Sequence, residues 1–295
     1  ALVWGVTWLT GTMAKALEPR TLDWRALVAF DPVLGWRPIP GLDTYHVSTR
    51  DPEVFHLVTD AEGWIGPAPI EMSDVIVLGD SFAWGYAVDY EHSYVAVRPN
   101  PVIKGVGAPG YNMVQELLLL RQLAPRLSGK LVVWLLYYGN DLYDNLSPEM
   151  AAYPVPFVVM RDGAWRIENS HVSPERWRAS KGRHGNGTHS TLMDAIHSPS
   201  WLSERAFSAC RYLLSEGKRI CDDAGAVLVL FTIPSPTRLG TLASLFPPGS
   251  GPASTNSGYA DECVAKMCLE LGITCVHGSE IFLRKHFRPK DDHWT

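Results

Sequence analysis

The 295-residue sequence predicts an α/β fold: a mostly parallel sheet with helices on both faces. Two observations carry this. Five short runs dominated by Val, Ile and Leu recur from residue 74 onward, and stretches of helical length lie between them. A continuous apolar run, rather than an alternating one, is what a strand covered on both faces requires.

The runs are "DVIVLG" (74–79), "PVIKGVG" (101–107), "KLVVWLLYYG" (130–139), "AVLVLFTIP" (226–234) and "ITCVHG" (273–278). The helical stretches are 112–127, 198–225 and 257–272. In the second, Ala206, Cys210, Leu213 and Leu214 fall at i, i+4, i+7 and i+8, one face of a helix. Residues 1–70 are rich in Pro, Trp and turn formers and read as an accessory, partly β region ahead of a main domain over 71–295. Within them "TYHVSTRDPEVFHLVTD" (44–60) reads as a hairpin with Asp51-Pro52 near its turn. Residues 146–197 interrupt the alternation after the third strand. They hold a second hairpin, "PFVVMRDGAWRIEN" (156–169), turning at Asp162-Gly163. An insertion there belongs at the rim of the sheet, where it shapes a pocket or forms a lid.

Composition narrows the function. With 46% apolar and 19% charged residues the chain can bury a large core. A net charge of -5 leaves no general footprint for nucleic acid. The most basic stretch, "ERWRASKGRHGNG" (175–187), reads first as a solvated loop and second as a contact for an anionic substrate. Residues 2–9, "LVWGVTWL", are apolar, but a membrane span needs about 20 such residues. They read as the tail of an anchor upstream of Ala1 or as a helix packed on the core. Five cysteines show no C-x-x-C pair, and Cys210 and Cys221 on one helix stand about 16 Å apart. That exceeds disulfide reach. Unpaired thiols favour a reducing, cytoplasmic setting over the cell envelope. His184, His189 and His197 match no metal-binding spacing, and no phosphate-cradling glycine loop occurs. No metal or cofactor is expected.

The chemistry gathers at the strand ends, where open α/β sheets bind ligands. After the first strand comes Gly79-Asp80-Ser81, after the second "GAPGY" (107–111), after the third "YGNDL" (138–142), and after the fifth "FRPKDDHWT" (287–295). A hydroxyl, an imidazole, a carboxylate and N–H donors are the parts of a serine hydrolase.

This set resembles the SGNH/GDSL hydrolase superfamily over about residues 70–295. The resemblance implies a flavodoxin-like three-layer α/β/α fold and the following roles. "GDSF" makes Ser81 the nucleophile. Ser81 and Gly110 give backbone N–H groups to the oxyanion hole, with Gly107 a weaker choice than Gly110. "GND" makes Asn140 the side-chain oxyanion donor, and "DDHW" makes His293 the base with Asp291 as the orienting acid. Two positions depart from the usual family pattern. Lys290 stands where the acid is commonest, so that Asp291-x-His293 is similar to the bacterial polysaccharide O-acetyltransferase branch, with Asp292 as the alternative acid. Gly105 replaces an Asn, which is expected to loosen the turn slightly. The implied activity is hydrolysis of an acyl ester, acetyl above all, through an acyl-enzyme. Transfer of the acyl group to or from a carbohydrate or small metabolite is the alternative. A carbohydrate-binding module without catalysis is the rival from another class. Trp84 and Trp294 are expected beside the pocket, where indoles can stack on sugar rings. His293 lies two residues from Thr295, so its loop requires an anchor: Trp294 in the core, or further chain.

Overall fold

The computed structural model describes residues 24–47, 53–98, 100–180, 198–235, 257–288 and 293. The chain opens with two antiparallel hairpins, β1 (Val28–Asp31) with β2 (Gly35–Pro38), and β3 (Asp43–Val47) with β4 (Val54–Val58). The second is the hairpin expected over 44–60; its turn lies outside the described residues.

The five apolar runs form β5 (Val75–Gly79), β6 (Ile103–Gly107), β7 (Leu131–Tyr137), β12 (Val227–Ile233) and β13 (Thr274–His277). Between β7 and β12 come the short pair β8 (Glu149–Met150) and β9 (Tyr153–Pro154), then the pair β10 (Phe157–Arg161) and β11 (Ala164–Glu168). The five form one parallel sheet in the spatial order β6-β5-β7-β12-β13. Numbered among themselves they run 2-1-3-4-5, the flavodoxin-like order.

Five helices are described: α1 (Met113–Leu123), α2 (Asp141–Asp144), α3 (Pro174–Ser180), α4 (Trp201–Ala224) and α5 (Ser257–Leu271). Helix α1 begins with a capping box between Asn112 and Gln115, and α4 with one between Ser200 and Ser203. Helix α4 ends at Gly225 with φ of 70°, the left-handed cap that glycine accepts freely. Side chains alternate across the sheet. Ile76, Leu78, Val132, Trp134, Leu136, Leu228 and Leu230 face α1, α4 and α5 in the main core. Val77, Leu135, Tyr137 and Ile233 face the other way. Right-handed crossovers explain why the connections after β6, β7 and β12 share one face. On the other face lie the connection after β5 and the segment after β13. Among the described residues that third layer is made of turns and short 3₁₀ segments, packed through Phe82, Ala83 and Phe287.

The amino-terminal hairpins and the insertion are packed into this core. The Trp36 indole N–H donates to Pro109 O at 3.1 Å, the Tyr111 hydroxyl to Trp36 O at 2.6 Å, and Gln115 Nε2 to Leu34 O at 2.6 Å. Ile65 and Gly105 exchange two backbone bonds, at 3.1 and 2.9 Å, on the outer edge of β6. The hairpin β10–β11 turns at Asp162 and Gly163, both with positive φ, as predicted. Tyr153 and Trp177 of the insertion lie buried against Trp36 and Phe30. The described part of the insertion is therefore fixed to the amino-terminal region. Its remainder, with His184, His189 and His197, lies outside the described residues.

Gly217 tests the fit of α4 on the sheet. A Cβ there would stand 2.3 Å from Trp134 Cζ3, and Trp134 is fully buried with its indole N–H bound to Glu116. Alanine gains about 1 kcal/mol in helix propensity. Forcing a methyl into a filled core costs about 1–3 kcal/mol. Gly217→Ala is predicted to lower the urea midpoint; an equal or higher midpoint would show that α4 can shift away from Trp134.

Candidate active site

Three neighbouring strands deliver the site. Gly79 pairs with Gly107 across β5 and β6, and Leu78 with Trp134 across β5 and β7. Ser81 follows β5 by two residues, Gly110 follows β6 by three, and Asn140 follows β7 by three. All three emerge at the carboxyl edge. A Cβ on Gly107 would lie 1.8 Å from Gly79 O, so glycine there lets two strand ends touch. Gly107 is thus a spacer, and Gly110 turns the loop at φ of 74°. Gly105 also has a packing reason: a Cβ would meet Ala83 O at 2.3 Å and the Tyr94 hydroxyl at 2.4 Å. The expectation that Gly105 loosens the turn is corrected. Gly105 lets the turn that follows Ser81 sit directly on β6.

The Ser81 hydroxyl and His293 Nε2 are 2.7 Å apart, across 212 residues of sequence. With Nε2 accepting that proton, Nδ1 carries the imidazole's own hydrogen. Phe82 and Tyr86 flank the ring, each with its centroid 5.0 Å from that of His293. These two aromatic walls were not foreseen, although Phe82 stands within the quoted "GDSF". Asp291 and its alternative Asp292 lie outside the described residues, as does Trp294. Trp84, expected beside the pocket, is fully buried. Its indole N–H donates to Gly63 O at 3.2 Å and its ring packs with Leu27, Phe55 and Ile65. That expectation is corrected: Trp84 is a core residue packed beneath the Ser81 turn.

The donors expected at the oxyanion hole differ in their engagement. Among the described residues no acceptor lies within hydrogen-bond reach of the Ser81 or Gly110 backbone N–H. Asn140 precedes α2, and its Nδ2 donates to Asp144 Oδ2 at 3.0 Å. The carboxylate only accepts, so it turns the amide nitrogen toward itself. Asn140 Oδ1 is buried without a partner among the described residues. The Asp144 carbonyl accepts from Asn112 Nδ2 at 3.1 Å, fixing α2 to the start of α1.

Beneath the site lie Asp80, Glu116 and Asp141, all buried. Burial pushes the Asp80 carboxyl up to about 6, opposed by the Phe82 backbone N–H, which donates to Asp80 Oδ1 at 2.9 Å. Burial, and then repulsion from Asp80, hold Glu116 and Asp141 well above the ordinary carboxylate range. Their hydrogen bonds act in the opposite direction: Trp134 Nε1 donates to Glu116 at 2.6 Å and Tyr137 N to Asp141 at 2.7 Å. No group of three metal-ligating side chains forms among the described residues.

A raised folded-state pKa means the native protein holds a proton that the unfolded chain releases. Stability from Glu116 is therefore complete below its unfolded value near 4.5 and declines as pH rises toward the folded value. Glu116→Gln keeps an oxygen for Trp134 and removes the charge. The melting temperature of the variant relative to wild type is predicted to climb from pH 4.5 to 8. A difference that stays constant over that range would mean Glu116 is ionised in the fold.

No protein-family model matches the sequence, and no curated protein matches it. Solved structures similar to it include TesA, 12% identical, covering 75% of this chain and 88% of that one, with a TM-score of 0.40. A GDSL-like lipase from Bacteroides thetaiotaomicron is also 12% identical, covering 78% and 82%, with a TM-score of 0.39. A variant of the esterase AlinE4 is 17% identical, covering 69% and 75%, with a TM-score of 0.33.

Proposed function

We propose that this protein is a serine esterase of the SGNH/GDSL type that cleaves acyl esters through an acyl-enzyme. The observation that carries this is the 2.7 Å contact between Ser81 and His293 at the carboxyl edge of the sheet. His293 Nε2 takes the Ser81 proton as Oγ attacks the ester carbonyl. The Ser81 and Gly110 N–H groups and the Asn140 amide stabilise the oxyanion. The protonated His293 then gives its proton to the leaving alcohol. It next takes one from water, which attacks the acyl carbon and frees the acid and Ser81. Asp291 serves in this reading to hold the Nδ1–H tautomer. Acetyl esters of carbohydrates or small metabolites are the proposed substrates, in line with the Asp-x-His-Trp block.

Ser81→Ala is predicted to abolish hydrolysis of p-nitrophenyl acetate and labelling by a fluorophosphonate; a variant that retains both removes the reading. Asn140→Ala should lower kcat by about 10²–10³, with KM nearly unchanged, because the charge it meets develops in the transition state. A loss confined to KM would make Asn140 a binding residue. Asp291→Asn should be far more damaging than Asp292→Asn, and the reverse order would move the acid to Asp292. Acetylated sugars assayed with and without acceptor glycans separate hydrolysis from transfer.

A further inference from the structure

A general base at 2.7 Å from its hydroxyl needs a fixed backbone. The described contacts of the His293 loop point to what fixes it. The His293 carbonyl accepts the backbone N–H of Arg288 at 2.8 Å. Arg288 is nearly buried, and its guanidinium carbon stands 4.3 Å from the centroid of Phe55, over the ring. Its Nη1 donates to Glu53 Oε2 at 2.7 Å. Phe55 lies on β4, and Glu53 just ahead of it. The preceding residue, Phe287, is buried among Phe82, Ala83 and Tyr137 beside the nucleophile.

We infer that Arg288 is a positioning residue for the catalytic base, and that the hairpin β3–β4 is its seat. This rests on the esterase reading above. Two requirements meet in one side chain. The charge of a nearly buried guanidinium has to be balanced, and Glu53 and the Phe55 face do so. A planar, rigid group gripped on two sides also holds its own backbone in place, and that backbone holds His293 O. Phe55 is buried with Trp84 and Tyr86, so the seat is continuous with the wall of the nucleophile turn. Nucleophile and base are thus registered against the same hairpin, which comes from outside the region of family resemblance. A lysine at 288 would keep a charge for Glu53 but lose the flat face over Phe55.

The test uses the full chain and the rate at which a fluorophosphonate labels Ser81, with melting temperature measured alongside. Arg288→Met is predicted to slow labelling about ten- to a hundredfold, the scale expected for a displaced catalytic group. Arg288→Lys should recover part of the loss. In a His293→Ala background, Arg288→Met should add no further loss, because its effect passes through the imidazole. An equal loss in both backgrounds, or an unchanged rate in Arg288→Met, overturns the inference. If Arg288→Met fails to fold, Phe55→Leu keeps the apolar volume without the aromatic face and is read against the same two outcomes. Failure of the esterase reading is distinct: wild type would not label at Ser81, or His293→Ala would label at the wild-type rate.

Discussion

The 2.7 Å hydrogen bond between Ser81 and His293 is the constraint to which the rest of the structure answers. Its partners are 212 residues apart, so no local preference can form it. The sheet fixes one end. Glycines at 79 and 107 let adjacent strands close on each other, and the turn after Ser81 rests on a third glycine at 105. The other end arrives after the whole sheet has been laid down and must return from β13, three strands away, to β5. Phe287 and Arg288 end that return in packed positions on either side of the turn.

In the proposed reaction, charge withheld counts as much as donors supplied. Three carboxyl groups, Asp80, Glu116 and Asp141, lie buried beneath the candidate site. Were all three ionised, their field would oppose the negative charge that the proposed reaction develops above them. Burial and repulsion raise Glu116 and Asp141 well above the ordinary carboxylate range, and burial raises Asp80 to about 6. The Asp144 carboxylate stays close to Asn140, where its use is directional: it tells the amide which end is nitrogen. Orientation and electrostatics pull in opposite senses here. One carboxylate is bound to the Asn140 amide, and Glu116 and Asp141 are pushed toward their neutral form by burial.

Much of this was legible in the sequence. All five strands and the three long helices fall within three residues of their predicted ends, apart from the tail of the first helix. That tail turns 3₁₀ at Ala124–Arg126, with Pro125 removing an N–H. Continuous apolar runs have few other uses, and a helical stripe declares its face. The order of Ser81, Gly110, Asn140 and His293 at the strand ends followed from the same reading. What stayed hidden was long-range. Nothing in the spacing around Trp84 says that its indole N–H will find Gly63 O beneath the turn. Nothing in Trp36 or Arg288 names Pro109 or Phe55 as its partner. The accessory reading of residues 1–70 failed to foresee these contacts because each joins segments far apart in the chain.

The two-residue bridge of Ile65 with Gly105 has a consequence for how the protein can be divided. β6 is an outer strand of the sheet, and Ile65 covers the middle of its open side. Close by, the fully buried Lys104 ammonium is paired with Asp60 and donates to Gly66 O at 3.2 Å. A fragment beginning at residue 71 would contain every strand of the sheet and every residue of the candidate site. It would also expose an unprotected strand edge, the usual starting point for intermolecular pairing, beside a cation stripped of its carboxylate. The smallest well-packed unit of this fold is therefore larger than the segment that carries its sheet and candidate site residues.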